Sequence, residues 1–235
     1  MLTQEERGQL VLAMLADVLD AVHGASLDAF VLSPDPQVID FARARHAVAI
    51  GEEPSGGSLN RALEWASSEI GVGAQAVLVL LPDVPLATAD ELRSLMDEMV
   101  PSNPHFSTGG GPNVMYSVVA PGRASAPSAG AANAPARMVV ATDRAGLGSN
   151  ALLVQPMGAI PMRFGRRSLA RHLEAAALRG IPARVCQLPG LALDVDTPRD
   201  VAALLLASRN TRTERLLCKF GVGSRVGRHL PTAAD

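Results

Sequence analysis

Lysine is almost missing from this chain: Lys219 is the only one among 21 basic residues. With abundant alanine, that bias marks a GC-rich genome more than a chemistry, yet it leaves no lysine for a site in the body of the chain. No basic block occurs there either, and the formal net charge is -2, so nucleic acid is not the expected partner. Only two cysteines are present, Cys186 and Cys218. They lie far apart and have neither metal-ligand nor redox spacing, so a reduced, cytoplasmic protein is expected. No apolar run is long enough to cross a bilayer and no secretion signal is apparent, so no membrane association is expected. The histidines (His23, His46, His105, His172, His229) are scattered without ligand spacing. No internal repeat is found.

What is present suffices for a sizeable core. Apolar residues make up 48% of 235 positions and mean hydropathy is +0.18, which predicts one α/β domain over residues 1–208 followed by a tail, 209–235. The organising stretch is Ala76-Val77-Leu78-Val79-Leu80-Leu81-Pro82-Asp83. A Val- and Leu-rich run without internal Gly or Pro predicts a strand buried on both faces. The acid after Pro82 then sits at a strand's carboxyl end, where open α/β sheets bind ligands. Taken alone, Asp83 reads equally as a helix-capping or turn residue. A second acidic pair, Asp194 and Asp196, flanks a single apolar residue, so on extended chain both carboxylates point the same way. Three carboxylates converging at sheet edges would make a hard-cation site, with Mg²⁺ holding phosphates as the expected use.

Along the chain, the apolar spacing from Thr3 to Val22 predicts a helix, with Thr3 and Glu6 as its capping box. Strand, helix and strand are predicted over 29–33, 37–45 and 47–50, which implies parallel pairing. Gly57 and Ser58 precede a helix from Leu59 to Ile70. This reads as an ordinary strand-to-helix turn or as a place where backbone N–H groups face a ligand. A helix follows from Thr88. From 101 to 135 Pro, Gly, Ser, Ala and Asn dominate and only Val114 to Val119 is strand-like, so a flexible insertion is predicted. Two strands, 137–142 and 151–155, flank a Gly-containing loop that reads as a plain hairpin. Ser168 is the expected N-cap of a helix over 169–179, with neighbouring arginines suited to an anion. The tail is expected to hold an amphipathic helix and a loose end. His172 reads as a core or surface histidine with a smaller weight on acceptor contact; Trp65, Met14 and Met96 read as core.

Several segments in this order resemble one family: 14–19, Gly57-Ser58-Leu59-Asn60, the 81–86 turn, Gly148-Ser149-Asn150, Arg163-Phe164-Gly165 with Ser168, and Leu193-Asp194-Val195-Asp196-Thr197-Pro198. The chain resembles the guanylyltransferases of coenzyme F420 biosynthesis, which join GMP to 2-phospho-L-lactate or phosphoenolpyruvate. The resemblance covers most of 10–208 outside 101–135. It implies a Rossmann-like mixed sheet of the molybdopterin-guanine-type nucleotidyltransferase fold. It implies that Asp83, Asp194 and Asp196 hold Mg²⁺, that Ser149, Gly165 and Ser168 bind the small phosphorylated carboxylic acid, and that Gly57 and Asn60 lie on the GTP side. The family has a further strand and a Gly/Lys/Arg loop ahead of the first helix here, so weak or no GTP turnover is expected from residues 1–235. The alternatives are a same-fold enzyme for a sugar phosphate or molybdopterin, or a non-catalytic paralogue. A homodimer is left open.

Overall fold

The computed structural model describes residues 2–51, 57–70, 76–99 and 136–222. Helix α1 (Gln4–Gly24) carries the anticipated capping box: Thr3 Oγ1 accepts from the Glu6 N–H at 3.1 Å, and the Glu6 carboxylate accepts from the Thr3 N–H at 2.7 Å. Its stripe of Leu10, Met14, Leu15, Val18, Leu19 and Val22 is buried, as helical spacing requires. Strand β1 (Phe30–Leu32), helix α2 (Pro36–Ala44, capped by Asp35) and strand β2 (Val48–Ile50) form a parallel unit with Phe30 opposite Val48.

Helix α3 (Leu59–Ile70) leads toward β3 (Val77–Leu80), whose residues are all buried, and then α4 (Ala89–Asp97). After the 101–135 stretch, which with its strand-like 114–119 piece lies outside the described residues, come β4 (Arg137–Thr142) and β5 (Ser149–Gln155). Helix α5 (Ser168–Ala177), β6 (Ala183–Cys186), α6 (Pro198–Ala207) and α7 (Arg212–Lys219) complete the described chain. The second sheet has the order β3-β5-β4-β6.

The class is α/β with a sheet of mixed direction, as anticipated. β4 and β6 pair parallel, while β5 is antiparallel to both its neighbours. The organising strand therefore meets a reversed strand on its described side. A tight hairpin from β4 leaves β5 no other direction. This reversal positions the site. It places Ser149, the first residue of β5, opposite Thr142 at the end of β4, while Ala151 lies opposite Leu80 at the end of β3.

Two cores hold the fold. The larger surrounds β3, β4 and β5 and takes in the second half of α1. The smaller joins Leu10 and Met14 of α1 to Val201, Leu204 and Leu217 of the last two helices. It also holds Leu86 and Leu193, each three residues or fewer from a site aspartate, so both acidic loops are pinned by buried leucines. The first part of the tail is thus docked, with α7 against α1; residues 223–235 lie outside the described chain.

Candidate active site

The carboxyl ends of β3 and β4, the start of β5, the 163–168 segment and the 194–196 loop enclose a cavity of about 760 Å³, within the usual range for small-ligand sites. Asp83, Asp143, Asp194 and Asp196 line one part of it. Nothing among the described residues hydrogen-bonds Asp83 Oδ1, although that atom is buried. Burial first, then Asp196 and Asp194, push the Asp83 carboxyl up to about 6. The Asp194 carboxyl is also raised, by burial first and by Asp196 and Asp143, while hydrogen bonds from its own backbone and from Asn150 pull it down. A buried acid with a bare oxygen beside two further acids is electrostatically unsatisfied. Two seams force the closeness. The Val195 N–H donates to the Asp83 carbonyl at 2.9 Å, and the Gly190 N–H donates to Glu91 Oε1 at 2.6 Å.

The same cavity is also lined by hydrogen-bond donors. Ser149, Ser168, Gly165, Arg166 and Arg167 line it. Ser168 is not the N-cap anticipated for α5. Arg167 holds that position in a left-handed conformation, φ 54°, with no side-chain cap bond. Ser168 is instead the first helical residue, and its hydroxyl accepts from the Ser149 N–H at 2.8 Å. The helix start has no side-chain cap, and one of its first N–H groups, that of Leu169, donates to the Leu147 carbonyl at 3.2 Å. Gly165 sits at φ 109°, a conformation that disfavours any side chain. Arg166 and Arg167 follow it directly and line the cavity.

Gly57 also lines the cavity. Asn60 does not face it: its amide grips the backbone of Phe164, Nδ2 donating to the carbonyl at 3.1 Å and Oδ1 accepting from the N–H at 2.7 Å. One turn along α3, Glu64 accepts from the Met162 N–H at 3.0 Å. The two residues fix the segment that carries Gly165. Sequence reading did not foresee this Asn60 role, though its i, i+4 spacing with Glu64 places both on one helix face.

Asn150, Asp143 and His172 are further residues of the site: His172 carried only a smaller weight on acceptor contact in the sequence, Asn150 stood in the resembling segment without a role, and Asp143 was not marked. Asn150, buried, donates to the Leu191 carbonyl at 2.9 Å and bonds the Asp194 carboxylate. Asp143 Oδ1 accepts from the Leu147 N–H at 2.8 Å and so shapes the 143–148 turn. His172 is wholly buried, edge-on to Phe164 at 4.9 Å between ring centres, and contacts the Ser149 hydroxyl at 3.0 Å. The Gly-containing turn gives the only cue: the predicted plain hairpin is present, but its first β5 residue faces a ligand cavity.

Among the described residues, no three His, Cys, Asp or Glu side chains stand close enough to enclose a metal. A hard cation on one or two carboxylates, completed by phosphate oxygens, needs no such cage. The orphaned Asp83 oxygen and its raised pKa fit such a cation.

Known proteins share this sequence along most of its length. The family described as "Guanylyl transferase CofC like" matches residues 1–119 and 131–229. It thus reaches beyond the 10–208 span of the resemblance and into the 101–135 stretch. A phosphoenolpyruvate guanylyltransferase of Sphaerobacter thermophilus is 35% identical over 86% of this chain and 82% of its own. One of Rubrobacter xylanophilus is 35% identical over 84% and 80%. A 2-phospho-L-lactate guanylyltransferase of Methanocaldococcus fervens is 25% identical over 94% and 83%.

Proposed function

The chain belongs to the CofC-like guanylyl transferases, and on that premise we propose that it transfers GMP from GTP to a small phosphorylated carboxylic acid, releasing pyrophosphate, as a step of coenzyme F420 biosynthesis. The observation that carries this reading is that one cavity is lined both by acids (Asp83, Asp194, Asp196) and by hydroxyls and arginines (Ser149, Ser168, Arg166, Arg167). A transfer between two phosphates needs both: a cation site for the nucleotide's charge and a separate anion site for the acceptor.

One or two of Asp83, Asp194 and Asp196, completed by phosphate oxygens, would hold Mg²⁺. That ion would neutralise charge on the α-phosphate and the departing pyrophosphate. The hydroxyls of Ser149 and Ser168 and the arginines 166 and 167 hold the acceptor's phosphate and carboxylate. Gly57 lies where nucleotide can approach backbone. The acceptor phosphate oxygen attacks the α-phosphorus, the new P–O bond forms as the bond to the β-phosphate oxygen breaks, and the leaving group takes the electron pair. A phosphate is already nucleophilic, so no general base is required. The relatives at 35% identity act on phosphoenolpyruvate by name, which favours that acceptor over 2-phospho-L-lactate.

The test is pyrophosphate release from GTP and Mg²⁺ with each acceptor separately, on the parent and on Asp194→Ala. The expected result is release with phosphoenolpyruvate that the variant loses. Release with a sugar phosphate or a molybdopterin instead, or equal release from the variant, would sink the reading.

A further inference from the structure

His172 joins the acceptor side of the cavity to the interior through both ring nitrogens. Nε2 lies 3.0 Å from the backbone N–H of Arg163. A backbone N–H only donates, so Nε2 must accept and carries no proton. A neutral imidazole then holds its proton on Nδ1, which faces Ser149 Oγ at 3.0 Å. Ser149 Oγ thus accepts from the ring, and its own hydrogen must point elsewhere. No second protein partner for that hydroxyl is present among the described residues, and Ser149 lines the cavity. Charging the ring would set two donors face to face, in a buried place, beside Arg171 and Arg163. Burial first, then those two cations, hold the ring neutral, with a pKa pushed down to about 4.

We propose that His172 is a positioning residue that fixes the Ser149 hydroxyl as a hydrogen-bond donor toward the acceptor's anionic group. This rests on the reading of the cavity's donor part as the acceptor site. A free serine hydroxyl can point its hydrogen at any nearby acceptor; one that accepts from the ring N–H cannot spend its hydrogen on the ring and has it available for the ligand. The same logic applies next door, where Ser168 Oγ accepts from the Ser149 N–H. Both hydroxyls are thereby preorganised for an oxyanion and spend no orientation freedom when it arrives. Phe164, gripped by Asn60, packs edge-on against the imidazole and sets its plane.

The test is a double-mutant cycle on acceptor KM. In His172→Gln the amide reaches the Nε2 position, keeps an acceptor for Arg163 and leaves Ser149 without its donor. We expect acceptor KM to rise about tenfold, the scale of one hydrogen bond to a charged group, with GTP KM within about twofold of the parent. In a Ser149→Ala background the same change should add nothing. An equal rise in both backgrounds, or an equal rise in GTP KM, means a merely structural histidine and overturns the proposal. Nitrogen-15 histidine spectra of the parent decide independently of folding of the variant and of turnover. We expect the proton on Nδ1 of His172 in the free protein and a shift of its resonance on adding phosphoenolpyruvate, not GTP alone. A proton on Nε2, or no response to phosphoenolpyruvate, overturns it. Absence of turnover with a normal Nδ1 response would instead strike the proposed reaction.

Discussion

The backbone N–H of Val195 donates to the carbonyl of Asp83 at 2.9 Å, so the residue between two acids is tied to the backbone of the third. The two acidic loops are held side by side by main chain, not by any attraction among their carboxylates. Their mutual repulsion is a cost that the fold carries in the metal-free protein.

That cost has a pH signature. Asp83 titrates near 3.8 when unfolded and at about 6 when folded. Between those values the folded chain binds the extra proton, so this group's contribution falls as pH rises from about 4 to about 6, then stays low. The difference is on the order of 2–3 kcal/mol at neutral pH. Without divalent cation, Asp83→Asn should therefore raise Tm at pH 7.5, by an amount that shrinks toward pH 4, while abolishing pyrophosphate release. A variant less stable than the parent at pH 7.5 would show that the carboxylate is not strained.

Gly190 makes the second seam. A Cβ there would overlap the Leu86 carbonyl and the Glu91 carboxylate, and Glu91 already accepts from the Thr88 N–H at 3.0 Å as the cap of α4. Neither backbone nor cap can yield cheaply. We expect Gly190→Ala to lose about 2–3 kcal/mol or more in denaturant unfolding and to weaken Mg²⁺-dependent activity. Neutral stability would mean that the two loops are not wedged together.

The organising strand and its terminal acid were legible because a Val/Leu run stopped by Pro82 admits few other structures. So was the capping box at Thr3, where hydroxyl and acid stand three residues apart; those at Thr88 and Thr197 share that spacing but were not read. Ser168 was not, because a serine before an apolar helix is a better cap on local grounds than Arg167. The contact that wins is tertiary, from the Ser149 N–H. The reversed β5 and the grip of Asn60 on Phe164 were also hidden: both join residues distant in the chain, and no local pattern encodes the partner. The anticipated convergence of Asp83 with Asp194 and Asp196 rested on the family resemblance as much as on strand logic.

Asn60 offers a direct choice between roles. A nucleotide contact would make its loss appear in GTP KM. A clamp on Phe164 makes it appear in acceptor KM, because Gly165 and Arg166 follow directly. We expect Asn60→Ala to raise acceptor KM at least fivefold with little change for GTP, and to cost about 2 kcal/mol of stability through the unpaired Phe164 groups. The opposite pattern of Michaelis constants would return Asn60 to the nucleotide side.

His172 should give the acid limb of the stability curve. It titrates near 6.5 unfolded and at about 4 folded. Its contribution is complete above 6.5 and is lost as pH falls to about 4, a change on the order of 3 kcal/mol. It runs opposite to the Asp83 limb over pH 4 to 6, so the parent should look nearly flat there. His172→Gln should then show stability rising on acidification through that window, and Asp83→Asn should show it falling. If both variants keep the parent's profile in urea unfolding, neither group carries the assigned shift.

The tail supports the site from a distance. Asp17 of α1 caps α7 from outside: Oδ1 accepts from the Arg212 N–H at 2.8 Å, and Oδ2 accepts from the Thr213 N–H at 2.8 Å and its hydroxyl at 2.6 Å. Removing this carboxylate strands three donors, two of them on buried Thr213, at a cost of about 2–4 kcal/mol. The smaller core that α7 helps to close also contains Leu193, the neighbour of Asp194. Asp17→Ala should therefore lower Tm, speed hydrogen exchange first in 211–219, and then in 191–196, well before β3 and β5 respond. Exchange that quickens in α7 while 191–196 stays protected would show that the acidic loop is held by the Val195 and Gly190 seams alone, and that α7 stabilises the fold without steadying the site.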